Sequence, residues 1–156
     1  MDETLAAPLR LCVRRSVDRG STRTSVTIGV PADVRFVEEA IELMARHCFS
    51  GAEPCRRTGF RLRVLLAEAL TNSILFGAGG NPTRTVRVGA EVTNTTIRLQ
   101  VTDDGPGFDP RGVPDPTGPS ARSRAIGRGL FLIRNLADRV EFNEQGNTIW
   151  MTLPRS

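Results

Sequence analysis

Two spacings alternate along this chain. In RTSVTIGV, TRTVRVGAEVT, TTIRLQVTD and TIWMTL the apolar residues fall on every second position, the period of a strand with one face buried. From Asp33 the apolar set is Val34, Val37, Ile41, Met44 and Cys48, the period of an amphipathic helix, and Pro31-Ala32-Asp33 supplies the stop and start signals before it. FSGAEPCRRTG then breaks the pattern with Gly and Pro. A second helix is predicted over residues 60–76, ending at Gly77, Gly79 and Gly80, and a third over GLFLIRNLADRV with Leu130, Ile133, Leu136 and Ala137 inward. A polar turn at Asn94 joins two strands into an antiparallel hairpin, and VEFNE, GN and TIWMTL close the chain as another.

The first 25 residues are Arg-rich and irregular, with one strand predicted within residues 9–17, and residues 26–156 read as a single domain. Consecutive strands joined by tight turns predict an α+β fold: a two-layer α/β sandwich with a mixed, mainly antiparallel sheet and helices on one face. Residues 105–129 are Gly, Pro, Ser, Asp and Arg with almost no periodic apolar content. A long irregular stretch inside a compact domain suits a functional lid, placed at about residues 106–126.

The second helix poses the chemical question. Leu62, Leu66, Ala69 and Leu70 mark one side, yet Val64, Leu65 and Leu75 flank the side that carries Glu68 and Asn72, so the helix reads as apolar almost all round. A carboxylate or amide taken out of water without a partner is costly. The pair needs a structural partner or a ligand.

Composition narrows the choice. A chain of 156 residues with 39% apolar content can bury a core, and no apolar run approaches the roughly 20 residues of a membrane span. The start, MDETLAAPLR, lacks the basic and apolar sections of a signal peptide, so a cytoplasmic protein without membrane contact is expected. Cys12, Cys48 and Cys55 show no metal-ligand spacing and His47 is the single histidine, so any metal must be held by oxygen. All 21 cations are Arg against 17 carboxylates; with aromatics at 5% and no Tyr, no direct nucleic-acid contact is expected despite the net charge of +4.

Three segments carry candidate chemistry: Glu68 with Asn72, DDGPG at a strand end, and GRGL at a predicted helix start. Each alone has an ordinary reading, as a helix amide bonded to nearby backbone, a turn, and a glycine-led helix start. Their order resembles the nucleotide site of the GHKL ATPases, the Bergerat-fold group that includes gyrase and histidine kinases. EALTNSILFG matches the N box, VTDDGPGF the first Gly box and GRGLFLI the second. The short length, retained Glu, compact lid and TGFRLRVLLAEALTN lead-in are similar to the anti-sigma-factor serine/threonine kinase branch, and the resemblance covers residues 26–153.

The resemblance implies ATP and Mg²⁺, transfer of phosphate to a Ser or Thr of an antagonist (anti-anti-sigma) protein, sequestration of a sigma factor in a partner-switching circuit, and a homodimer. It assigns Asp103 to the N6 amine of adenine, Thr148 to a hydroxyl beside that Asp, and Leu130 to the nucleotide pocket. Its serine kinases commonly carry a His or other polar residue where this chain has Phe76, which reads here as a packing substitution at the rim.

Elementary chemistry supports the same residues. Asn72 offers a neutral oxygen to Mg²⁺, an ion that is usually shared with substrate phosphates, and Glu68, one turn earlier, can accept the proton of an attacking hydroxyl. Gly105 and Gly107 let backbone approach a flat base. At a helix start, Gly127, Arg128 and Gly129 would turn N–H groups toward a polyphosphate, with Arg122 and Arg124 adding charge or lying in a solvated loop.

Other classes remain in view. A nucleotide-gated module could hold a sigma factor or other regulator and transfer nothing. A histidine-kinase catalytic domain lacks its preceding phosphoacceptor helices here, and a basic nucleic-acid binder predicts steep salt dependence. Neither of these two explains Glu68 and Asn72.

Overall fold

A computed structural model describes residues 11–17, 23–49, 55–107 and 121–155, with backbone alone for 15–17 and 121–123. Among the described residues six strands form one sheet: β1 (Cys12–Val17), β2 (Thr24–Pro31), β3 (Thr85–Val92), β4 (Thr96–Thr102), β5 (Arg139–Phe142) and β6 (Thr148–Pro154), in the order β1-β2-β3-β4-β6-β5. Every described pairing is antiparallel, where the sequence allowed for a mixed sheet. The strand expected within residues 9–17 is β1, which runs beside β2 at the sheet edge.

Alternation decides which face is covered. Val26, Ile28 and Val30 on β2, Val86, Val88 and Ala90 on β3, Ile97, Leu99 and Val101 on β4, and Met151 and Leu153 on β6 are all buried. Their neighbours Thr27, Arg87, Arg98 and Gln100 face water. Three helices cover the apolar face: α1 (Val37–Cys48), α2 (Arg56–Asn72) and α3 (Ala121–Leu136). Leu62, Leu65, Leu66 and Leu70 of α2 are at most 1% exposed, each contributing about 1.5–3 kcal/mol of burial. This helix is therefore the keel that holds the site against the sheet.

Three boundaries differ from the sequence reading. Asp33 caps a short 3-10 turn (Val34–Phe36) by accepting the N–H of Arg35 at 2.9 Å, so α1 starts only at Val37 and Val34 lies exposed. The second helix starts at Arg56 and stops at Asn72, where a π-turn (Ser73–Gly77) follows. The third starts at Ala121, ahead of the predicted Gly129; Ala and Arg have high helix propensity, so ARSRAI needs no apolar period to wind. Residues 108–120 of the expected lid lie outside the described residues, and 121–126 are helix where a loop was expected.

Candidate functional site

Asp103 is delivered by the strand that precedes it. It follows β4 directly, and Thr102, the last residue of that strand, is the register partner of Thr148, with the two hydroxyls 3.0 Å apart. The Asp103 N–H donates to the carbonyl of Asn147 at 3.0 Å, which ties the strand end to the β5–β6 turn. On the other side Gly105 N–H donates to Asp103 Oδ1 at 2.8 Å, and the Ser73 hydroxyl also bonds the carboxylate.

Asp103 is 7% exposed, and burial pushes its carboxyl above the usual value of 3.8. The bonds from Gly105 and Ser73 pull the other way, as does the charge of Arg84, while Asp104 adds to the rise. Desolvation wins. A carboxylate has more lone pairs than these two donors use, so an incoming N–H of a ligand would be strongly held.

Glycines make the room. A Cβ on Gly77 would collide with the Asp103 carboxylate, and one on Gly105 would collide with the carbonyl of Gly77. The π-turn brings Gly77 there: the Ala78 N–H donates back to the carbonyl of Ser73 at 2.8 Å, and the widened turn carries both Ser73 and Gly77 against Asp103. Gly107 sits at a φ of 74°, and a side chain there would strike the carbonyl of Gln145.

Beside Asp103 opens a cleft of about 100 Å³, walled by Thr148, Gly107, Asn72, Phe76 and Leu130 among others. At its far end α3 crosses α2. A Cβ at Gly129 would stand 2.9 Å from Asn72 Nδ2 and 3.0 Å from Glu68 Oε2, so the absence of a side chain lets the helix lie directly on this polar pair. Glu68 and Asn72 are half-buried at the helix seam, and the helix that reads as apolar almost all round is not buried all round: Phe60 and, in the π-turn, Leu75 face solvent.

The structure thus brings Asn72, Asp103, Gly107, Leu130 and Thr148 around one cleft, with Gly105 behind Asp103 and Glu68 beside Asn72 and Gly129. The helix-start placement of Gly127, Arg128 and Gly129 is corrected. They lie inside α3 and not in its first turn, so a helix N-terminus is not what they offer, and Arg128 points to solvent. Arg124 lies in the same helix, and the side chain of Arg122 is outside the described residues.

Ser73, Gly77, Ile126 and Phe142 line the cleft as well and went unread in the sequence. Only Ser73 had a signal, because it follows Asn72 directly; Gly77 read as the end of the second helix and not as a wall of the cleft.

Among the described residues no group of three His, Cys, Asp or Glu could hold a metal ion, and no helix is long and apolar enough to cross a membrane. The sequence matches the model of the histidine kinase-like ATPase domain over residues 30–153. A protein of Oceanobacillus iheyensis named Serine-protein kinase RsbW is 30% identical over 132 residues, spanning 77% of this chain and 79% of the relative. The protein of that name from Listeria innocua is 27% identical over 140 residues, spanning 81% and 85%. With the three motifs in order around one cleft and a match across most of its length, the chain belongs to the family of histidine kinase-like ATPase domains.

Proposed function

We propose that this protein is an ATP-dependent protein serine/threonine kinase that phosphorylates an antagonist protein and sequesters a sigma factor in a partner-switching circuit. The observation that carries the reading is the contact of Gly129 with both Glu68 and Asn72 beside a cleft whose other wall holds the buried Asp103. Asp103 would accept the exocyclic amine of adenine, while Thr148 sets the strand beside it. The triphosphate would then run toward Asn72 and Glu68.

Asn72 fits a magnesium ion, because a single neutral side-chain oxygen suffices for an ion that keeps waters and shares phosphate oxygens. When bound it would supply charge neutralisation at the β- and γ-phosphates. Glu68 would take the proton of the acceptor hydroxyl. As that oxygen bonds to the γ-phosphorus, the bond to the β–γ bridging oxygen breaks and ADP leaves.

Incubation of the protein with Mg-ATP and candidate antagonists tests this. Phosphoserine or phosphothreonine should form on one of them; tight ATP binding without transfer would leave a nucleotide-gated binding module. Phe76 in the cleft wall, apolar where the kinases it resembles carry a polar side chain, is the observation that favours that second reading.

A further inference from the structure

Among the described residues that wall the cleft, Asp103 is the one charged side chain, and two hydroxyls, on Ser73 and Thr148, stand in the same wall. Their partners differ. Thr148 pairs with the hydroxyl of Thr102 at 3.0 Å, whereas Ser73 gives its single hydrogen to the carboxylate of Asp103. A helical Ser can turn that hydrogen back onto the carbonyl four residues earlier, but here it leaves its own helix for a strand end. The π-turn explains the choice: the Ala78 N–H reaches the Ser73 carbonyl at 2.8 Å, and the turn sets Ser73 and Gly77 together against Asp103. Gly77 supplies the wall and Ser73 the donor.

The torsion that turns an Asp carboxylate is broad, so a group tied at one oxygen can still swing the other. The Gly105 N–H ties Oδ1 at 2.8 Å. The Ser73 hydroxyl is the second donor and narrows that swing; it also favours the ionised form, with Arg84, against burial and the charge of Asp104. Lone pairs without a donor are then left toward the cleft, because the Ser73 hydrogen is committed and an ionised Asp103 has none. A 6-amino group on a purine brings N–H donors to such a surface, whereas a 6-oxo group sets oxygen against oxygen.

We propose that Ser73 is a positioning residue for base selectivity: its hydroxyl holds the carboxylate of Asp103 in one orientation, so that the cleft takes a 6-aminopurine nucleotide in preference to a 6-oxopurine one. The inference rests on the adenine-nucleotide reading of the cleft, and it adds the residue that makes Asp103 selective. Ser73 acts through Asp103, so its effect should appear only with nucleotides whose 6-substituent Asp103 reads.

The test is equilibrium binding of ATP, GTP and purine riboside triphosphate, which has hydrogen in place of the amine, to the full chain with Mg²⁺. Wild type is compared with Ser73→Ala and with Ser73→Thr, which keeps a hydroxyl. No transfer to protein is read, so the result is independent of kinase activity. In Ser73→Ala the preference for ATP over the purine analogue should fall roughly 3- to 10-fold, the size of one hydrogen bond, while affinity for the analogue stays within about twofold. The preference for ATP over GTP should narrow with it, and Ser73→Thr should restore most of both. In an Asp103→Ala background Ser73→Ala should leave the preference where it is. Equal losses for all three nucleotides, or a preference in Ser73→Ala as strong as in wild type, overturn the positioning role and spare the adenine assignment. A wild-type chain that binds ATP and the purine analogue equally, or binds neither, removes both.

Discussion

The two ends of the cleft are built by opposite means. At the base end, backbone confines a charge: Gly77 and Gly105 leave no space beyond the carboxylate of Asp103, which Gly105 and Ser73 orient before any ligand arrives. At the phosphate end, Glu68 and Asn72 sit at a seam between two helices, half-buried, with Gly129 in the interior of α3 lying against them. Selection of a base benefits from rigidity, because a misplaced acceptor admits the wrong ring. Phosphate transfer needs a site that can receive and release, and a helix seam can shift where a strand end cannot. Binding and chemistry should therefore fail separately.

The largest separation is expected at Glu68. Glu68→Gln keeps the size and removes the proton acceptor, so transfer should fall about 10²- to 10⁴-fold while ATP affinity holds, as read by single-turnover transfer beside calorimetric binding. Transfer at the wild-type rate would leave the phosphate end without its base. Next comes Asp103→Asn, which puts an amide donor where an acceptor is needed. Loss of a charged hydrogen bond worth about 1.5–3 kcal/mol predicts ATP binding weaker by about 10- to 100-fold, with transfer at saturating ATP much less affected.

Gly77→Ala should reach a similar loss without touching Asp103 chemically, because the new methyl occupies the space of the carboxylate. In an Asp103→Ala background the same change should cost little more, and this non-additivity distinguishes displacement of Asp103 from general damage. Gly129→Ala is the milder counterpart. Its methyl would meet the ends of flexible side chains at 2.9 and 3.0 Å, which can give way, and Ala gains about 1 kcal/mol over Gly in a helix interior. A loss of transfer of only a few-fold, with base affinity unchanged and Tm equal or higher, is the expected result.

These contrasts explain what the residues could reveal by themselves. The strands were legible because one face is buried: Val86, Val88 and Ala90 alternate with exposed neighbours, and no other periodicity competes. The start of α3 was hidden, since ARSRAI holds one large apolar residue, Ile126, and the glycines after it looked like a start signal. Glu68, Asn72 and Asp103 stood out as polar groups in apolar or strand-end settings. Gly77 did not, because its role is a contact with a residue on a different element, and nothing in its own neighbourhood encodes that collision.

The smallest effect in the neutral range, and the one that reads the base end alone, is pH. Burial raises the carboxyl of Asp103, so the folded chain binds its proton more readily than the unfolded chain does. The stability tied to this group is thus fully present below the unfolded value of 3.8 and is lost as pH rises through the raised folded value. Adenine binding runs the opposite way, because the amine requires the ionised acceptor: ATP affinity should decline as pH falls through that same raised value. Asp104, whose charge contributes to the rise, and Arg84, which opposes it, bear on where this happens but not on its sign. Thermal unfolding and ATP titration across acid pH, on wild type and Asp103→Asn, isolate the group by difference. Wild type should gain stability relative to the variant on acidification as its ATP affinity advantage shrinks, and purine riboside triphosphate, which lacks the amine, should show no such decline. Parallel trends in the two measurements would mean that the carboxylate of Asp103 does not meet the base, and that the cleft is a packing defect between strand ends and helix.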